Sequence, residues 1–360
     1  MIIHTRKNLS MKFSKEDIRG NQNLRINNKK IIAVVISTYN GERFISEQLD
    51  SILAQKLNTK EYLINIFLRD DGSTDATLDI VKQYQQKYSD RILLIDSEKQ
   101  NLGFGRSFLK ILSFVHAAYT FFSDQDDVWP VNKVEEFLKV FFSYPPMEPL
   151  AIMSDVWIAD SKGQSIGKTI KHQQIAKIIN SNSEIGLIDQ IFDTYVQGSA
   201  LAINSALLIL IKKTKLMSMQ KKIEHDHFIG IIASTFGDLY YLDKPLLFYR
   251  QTGNNIFGAR DLRKKKIIKK ICGLFENRVS DTVRVLNLTS QLHLNTISSA
   301  YNLSIENKNF LHEIDRLNVS HGFFTRLKFF LKYRRWVSHT HPFIMSTIYA
   351  LLSRRGGPSD

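Results

Sequence analysis

The sequence predicts an α/β fold built on a mostly parallel, Rossmann-like sheet flanked by helices, with a basic helical extension at the C-terminus. Three observations carry that reading. Apolar, β-branched runs alternate with amphipathic stretches in the order β-α-β-α-β-α-β between Ile31 and Phe122. Three of those runs end in polar turns, Ser37-Thr38-Tyr39-Asn40-Gly41, Arg69-Asp70-Asp71-Gly72-Ser73-Thr74-Asp75 and Ser123-Asp124-Gln125-Asp126-Asp127. The last hundred residues hold most of the net positive charge.

Each element follows from its pattern. Ile31-Ile32-Ala33-Val34-Val35-Ile36 reads as a strand buried on both faces. Phe44, Ile45, Leu49, Ile52 and Leu53 then recur at helical spacing. Tyr62 to Leu68 is a second strand, and a helix is predicted over Asp75 to Tyr88. Ile92 to Ile95 is a third strand, and Asn101-Leu102-Gly103-Phe104-Gly105 a loop. A helix over Arg106 to Ala118 leads to the strand Tyr119-Thr120-Phe121-Phe122. Further on, Ser154-Asp155-Val156-Trp157 reads as a strand and Asp160-Ser161-Lys162-Gly163 as a turn, while Tyr195 to Ala200 is a loop returning to the sheet. The organisation expected is a mobile basic leader over 1–30 and a catalytic domain over 31–258, made of a nucleotide-binding half (31–128) and an acceptor half (129–258). A basic helical region over 259–360 follows.

Charge and cysteine content narrow the partners. The chain of 360 residues has 49 Lys+Arg against 35 Asp+Glu, a formal charge of +14, so anionic partners are expected. From Arg260 onward there are 18 basic and 7 acidic residues, leaving the preceding chain near neutrality and disfavouring a nucleic-acid groove across it. A single cysteine, Cys272, excludes an internal disulfide and any CxxC zinc site and fits a reducing compartment. The first 30 residues lack an apolar stretch of signal-peptide length, and no run reaches the roughly 20 residues of a membrane span, so a cytoplasmic location is expected.

The chemistry concentrates at the strand ends, where open α/β sheets bind ligands. Three carboxylates within four residues, Asp124, Asp126 and Asp127, offer hard oxygen ligands for Mg2+ or Mn2+ bridging to a diphosphate, although acidic clusters also serve as solvated turns. Asp70-Asp71-Gly72-Ser73 places acceptors where a pyrimidine N3–H and ribose hydroxyls need them, and ordinary helix capping by Ser73, Thr74 and Asp75 explains the same residues. Glu224-His225-Asp226-His227-Phe228 supplies a carboxylate for base catalysis or a helix cap, and the i, i+2 spacing of its histidines argues against zinc. Trp129 and Trp157 suit either a sugar face or the core, and Gly198 either close substrate approach or a simple turn.

Taken in order, the Ser37-Thr38-Tyr39-Asn40-Gly41-Glu42, Gln48 to Gln55, Asp70-Asp71-Gly72-Ser73, Asn101-Leu102-Gly103 and Ser123-Asp124-Gln125-Asp126-Asp127 segments resemble family 2 glycosyltransferases of GT-A fold. The resemblance runs to about Gly258. Ser-Asp-Gln-Asp-Asp-Val-Trp and Tyr249-Arg250-Gln251-Thr252-Gly253-Asn254-Asn255 are similar to bacterial rhamnosyltransferases of cell-surface polysaccharide assembly. The resemblance implies that Thr38, Tyr39, Glu42, Asp70 and Asp71 surround base and ribose and that Asn101, Gly103, Asp124 and Gln125 line the donor. It implies Asp124 and Asp126 as ligands of a Mn2+ or Mg2+ cofactor and Asp226 as the base of an inverting transfer. Trp129, Trp157, Gly198, Arg250 and Asn254 would then face the acceptor or the diphosphate. Two positions depart from the family: Thr252 stands where histidine is frequent, and Ser107 where asparagine is.

The resulting expectation is transfer of L-rhamnose from dTDP-rhamnose onto a lipid-linked glycan, with a UDP-hexose or UDP-N-acetylhexosamine donor as the alternative. From other classes stand a nucleotidyltransferase, disfavoured because no Gly-rich, Lys-bearing loop lies near Thr38, and a catalytically silent scaffold of a polysaccharide complex. The stretch Phe323 to Trp336 mixes aromatic and basic residues, which suits the anionic inner face of the plasma membrane, a homodimer contact, or packing on the catalytic domain.

Overall fold

The computed structural model describes residues 25–95, 101–170, 182–193, 196–218, 225–251, 289, 303–319 and 323–333. The chain forms two compact units, one of Met1–Ile185 with Tyr195–Ala259 and one of Gly186–Thr194 with Arg260–Asp360. Asn254, Thr252, Glu224 and Cys272 lie outside the described residues, as does most of the stretch expected to be a basic leader.

The first unit is organised by one sheet. In chain order its strands are β1 (Arg25–Ile26), β2 (Lys29–Thr38), β3 (Tyr62–Asp70), β4 (Ile92–Leu94), β5 (Tyr119–Ser123), β6 (Leu150–Ala159), β7 (Ser165–Thr169), β8 (Ser183–Glu184), β9 (Leu201–Asn204) and β10 (Asp238–Arg250). The spatial order is β4-β3-β2-β5-β9-β6-β10-β8, with β1 beside β2 and β7 beside β6. Strands β4, β3, β2 and β5 are mutually parallel, as the alternating pattern predicts. Beyond β5 the sheet is mixed: β9 runs antiparallel to both β5 and β6, and β10 returns parallel to β6.

The helices are α1 (Ile45–Leu53), α2 (Thr77–Lys87), α3 (Phe104–Phe114), α4 (Lys133–Phe141), α5 (Leu187–Asp193), α6 (Ser205–Lys213), α7 (His225–Phe236), α8 (Ile305–Val319) and α9 (Phe323–Lys332). Ile31 to Ile36 are all buried, because β2 lies between two strands and α3 packs on it. Helix α1 buries Ile45, Leu49 and Ile52, the stripe read from sequence, and also buries Gln48 in the same phase. Among the boundaries that differ from the sequence expectation, two have a clear cause. The sheet starts before Ile31, because Asn27 and Asn28 both take positive φ (50° and 66°) and turn Arg25–Ile26 back onto Lys29–Lys30 as a hairpin. Helix α3 ends at Phe114 rather than Ala118, since Val115–Ala117 must lead the chain into β5, where the Ala118 amide donates to the Ile31 carbonyl.

The second unit holds α5, α8 and α9, joined by a cluster of Phe192, Phe310, Phe329 and Tyr333 with Phe310 and Phe329 each 4.8 Å from the Tyr333 ring. This corrects part of the surface reading of Phe323 to Trp336: Phe329 and Tyr333 are buried within their own unit, while Lys328, Leu331 and Lys332 are exposed. Helix α8 mixes Glu306, Glu313 and Asp315 with Lys308 and Arg316 and is not basic. Among the described residues no helix is long and apolar enough to cross a membrane.

Gly237 joins α7 to β10 so closely that a Cβ there would overlap the Pro149 carbonyl oxygen. Gly237→Ala is expected to cost about 2–3 kcal/mol by overpacking and to lower the calorimetric midpoint by roughly 5–10 °C. An unchanged midpoint would mean that this junction repacks freely.

Candidate active site

The parallel register brings the polar turns to one edge. Thr38 pairs with Asp70 across β2 and β3, and Ile36 pairs with Ser123 across β2 and β5, so all three turns leave the sheet side by side. Thr38 is buried and donates its hydroxyl to Asp70 (2.9 Å), whose carboxylate also accepts from the Gly72 and Ser73 amides (3.2 and 2.9 Å) and the Ser73 hydroxyl (2.6 Å). Asn40, at φ 49°, accepts from the Thr74 amide (2.8 Å), and Glu42 and Asp75 exchange bonds, Glu42 accepting from Ala76 N–H (2.9 Å) and Asp75 from Glu42 N–H (3.1 Å). Capping and loop stitching therefore account for Thr38, Asp70 and Glu42. Tyr39 differs: the residue is 49% exposed at the strand end.

Asp71 is committed inward as well. It pairs with Arg69, which is 1% exposed, and accepts from the Leu102 and Gly103 amides (2.7 and 2.9 Å), so it holds the Asn101–Gly103 loop against β3. Asn101 accepts from the same Gly103 amide (2.9 Å), and Gly103 has φ 77° and ψ 156°, a conformation essentially restricted to glycine. Ser107 is buried, receives the Ser37 hydroxyl (2.6 Å) and accepts from Arg69 (3.0 Å); its role is in this polar core.

The acidic turn is clamped from four sides. The Gln125 amide grips the Tyr39 backbone, accepting from its N–H (2.8 Å) and donating to its carbonyl (3.0 Å), so Gln125 links two turns. Gln48 accepts from Ser123 and the Trp129 indole N–H (3.1 Å) and donates to the Asp127 carbonyl. Gln55 donates to the Pro130 carbonyl (2.8 Å) and accepts from Val134 N–H (3.1 Å). Arg250 donates through Nε to the Asp126 carbonyl (2.7 Å) and through a terminal nitrogen to the Ser161 carbonyl (3.1 Å). It also pairs with Glu47 and lies 4.8 Å from the Phe44 ring. Val128 exchanges backbone bonds with Phe248. Arg250, read from sequence as a diphosphate or acceptor contact, is thus spent inside the protein. Trp129 is 2% exposed against Phe121 and belongs to the core; Trp157 is half-buried on β6.

Within this clamp the carboxylates repel. Asp124 stands well above the usual range through burial and then the charges of Asp127, Asp126 and Asp226, and its Oδ1 is buried without a hydrogen-bond partner. Asp126 is raised by burial, with Arg250 opposing. Asp127 is pushed up to about 7 by burial and by Asp126. Lys133, wholly buried, is the cation facing them; burial draws it down to about 7 against the pull of Asp127 and Asp124. Asp226, in the first turn of α7, is raised to about 6 by burial, while the His227 and Gly198 amides oppose the rise. A Cβ at Gly198 would stand 3.1 Å from Asp226 Oδ2, which explains glycine there. His225 stacks on Phe108 at 4.3 Å, and burial lowers it to about 3, so it stays neutral.

Among the described residues, no three His, Cys, Asp or Glu side chains are grouped to hold a metal ion. The donor set nonetheless fits a hard divalent cation, since a buried, unpartnered Asp124 oxygen sits among like charges, and Mg2+ is commonly held by one or two carboxylates plus substrate phosphates. Lys133 and Ser199 were not singled out from sequence, and Gln48 and Gln55 only bounded a segment of the resemblance, with no role assigned. A signal existed for three of them: Gln48 and Gln55 fall in phase with the buried stripe of α1, and Lys133 places a cation at a helix start, against the dipole.

The family model Glycosyl transferase family 2 matches residues 33–147, the segment carrying Thr38, Asp70, Asp71, the acidic turn and Lys133. The chain is 29% identical over 252 residues to the dTDP-rhamnosyl transferase RfbG of Shigella flexneri, covering 68% of this chain and 80% of that protein. It is 36% identical over 96 residues to the poly(ribitol-phosphate) beta-glucosyltransferase of Bacillus spizizenii, covering 27% of this chain and only 15% of that protein. The crystal structure of S. aureus TarS 1–349 in complex with UDP-GlcNAc is similar at TM-score 0.51 and 18% identity, over 90% of this chain and 82% of that one, and shows that the chain has the GT-A fold.

Arg250→Met should destabilise the protein by about 1–3 kcal/mol in urea unfolding, because the Asp126 and Ser161 carbonyls lose their donor. A diphosphate contact would behave otherwise, losing nucleotide affinity with stability intact.

Proposed function

We propose, from the premise that this chain is a glycosyltransferase carrying a family 2 catalytic domain, that it moves L-rhamnose from dTDP-rhamnose onto a lipid-linked cell-surface glycan with inversion. The observation that carries the reading is the meeting of two carboxylates of different kind at one edge of the sheet: Asp124, with an unpartnered oxygen, and Asp226, close enough for its charge to act on Asp124. The first belongs to a donor site and the second to an acceptor site. The likeness to a dTDP-rhamnosyl transferase over most of both chains supports the sugar and base.

In this reading Tyr39 stacks on the base at the strand ends, where the residue is exposed. Asp124 and Asp126 would hold a divalent cation, Mn2+ or Mg2+, which would supply positive charge beside the leaving diphosphate. Asp226 takes the proton of the acceptor hydroxyl while that oxygen bonds to the anomeric carbon, and the bond to the diphosphate breaks on the opposite face. A carboxylate near 6 is a better match to this task at neutral pH than one near 4. The basic C-terminal hundred residues support contact with the anionic inner face of the membrane, where a lipid-linked acceptor would reside.

Two experiments test the reading. Thermal stabilisation by dTDP, UDP and GDP, with and without Mn2+, should be largest for dTDP with Mn2+. A larger UDP shift would move the donor to a UDP-hexose or UDP-N-acetylhexosamine, and no shift with any nucleotide would leave a silent scaffold. Asp226→Asn should lower transfer by about 10²–10⁴-fold, with nucleotide affinity retained. Only the ionised Asp226 accepts a proton, so kcat/KM should fall as the pH drops through about 6 and level off above it. A flat profile from pH 4 to 8 would remove Asp226 from the mechanism.

A further inference from the structure

We propose that Lys133 is a positioning residue for the proton acceptor: it anchors the Gly198–Ala200 turn, and that turn sets the place of the Asp226 carboxylate. The proposal rests on the assignment of Asp226 as base.

Lys133 sits where a lysine is costly. It opens α4, where the helix dipole disfavours a cation, and it is wholly buried. A residue needed only for packing there would be apolar, so the ammonium group itself must be used. Its Nζ donates to the Ser199 carbonyl (2.8 Å) and lies 4.1 Å from the centre of the Trp129 ring, and its charge acts on Asp127 and Asp124. Ser199 therefore joins two parts of the site, its carbonyl held by Lys133 and its hydroxyl set against Asp127.

The neighbouring residue passes this placement to the base. The Gly198 amide favours the ionised Asp226 carboxylate, and the Gly198 α-carbon approaches so closely that an added Cβ would stand 3.1 Å from Asp226 Oδ2. The amide hydrogen-bonded to that carboxylate, His227 N–H at 2.9 Å, belongs to α7 and moves with Asp226. Gly198 is thus the contact that refers Asp226 to the rest of the site, and Lys133 holds its turn in place. An offset of about 1 Å at a reacting group can cost up to 10²-fold in rate. Lys133 follows the acidic turn closely in the chain and faces Asp127 and Asp124, so this lysine couples the acidic turn to the Gly198–Ala200 turn.

The test compares Lys133→Met, Lys133→Arg, Gly198→Ala and Asp226→Asn in the full chain. Hydrolysis of dTDP-L-rhamnose with Mn2+ gives kcat and KM, and titration calorimetry gives dTDP affinity. Lys133→Met is expected to lower kcat about tenfold or more, with KM and dTDP affinity within about twofold, and Lys133→Arg to recover most of that loss by keeping the cation. Gly198→Ala, which leaves the buried charges in place, should show the same loss confined to kcat. Amide hydrogen exchange gives a readout that needs no donor: residues 196–204 should exchange faster in Lys133→Met, and unchanged exchange overturns the anchoring. Unchanged kcat in Lys133→Met, or kcat and dTDP affinity falling together, also overturns the proposal, the latter because Lys133 would then serve the donor loop. If Asp226→Asn hydrolyses at the wild-type rate, the base assignment fails and this inference with it. If Asp226→Asn is inactive while Lys133→Met and Gly198→Ala are unaffected, the base stands and only the link through the turn is lost.

Discussion

Carboxylate crowding at the carboxyl ends of parallel strands is the constraint on which the rest of the site depends. Asp124, Asp126, Asp127 and Asp226 act on one another in a largely desolvated place, and Lys133 is the buried cation facing them. Such an arrangement is unfavourable by itself, because burial penalises each charge and like charges add to the penalty. It persists because the backbone around it is held from elsewhere. Gln48 reaches in from α1 and Gln55 from just beyond its end, Gln125 ties the acidic turn to the Tyr39 backbone in the first strand's turn, and Arg250 reaches in from the end of β10. The clamps hold chiefly through backbone carbonyls and amides, and the Asp124 Oδ1 is left without a partner. That is the form expected of a site completed by a cation and a diphosphate.

The same logic separates two kinds of polar residue that look alike in sequence. Asp70 and Asp71 share a motif with nucleoside-binding turns, yet both spend their oxygens on loop amides, hydroxyls and Arg69. They build the frame from which the exposed Tyr39 projects. A frame made this way is rigid because every buried acceptor is satisfied, and it can place an aromatic face without itself touching a ligand.

In the second unit, aromatic residues that read as membrane-facing divide by position. Phe329 and Tyr333 meet Phe310 and Phe192 in a small core, whereas Lys328 and Lys332 stay at the surface, Lys332 paired with Glu313. A helix can bury rings on one side and expose lysines on the other, so composition alone does not tell which neighbour the rings meet.

What the sequence determined by itself is the first half of the sheet and the location of the chemistry. The β-branched runs of β2 and β3, the stripe of α1 and the three polar turns all depend on neighbours along the chain, so local pattern carries them. Residue type also marked Asp124, Asp126 and Asp226 as a set worth bringing together. Tertiary structure decided what each polar side chain is used for. Whether Arg250 meets a phosphate or the Asp126 carbonyl depends on β10 lying beside β6 and on Phe248 bridging to Val128, contacts that join residues far apart in the chain. The antiparallel insertion of β9, the partnership of Lys133 with Ser199, and the approach of Gly198 to Asp226 are of the same kind. Spacing along the chain does not encode them, because a buried polar group takes whichever partner the packed fold brings within hydrogen-bond reach.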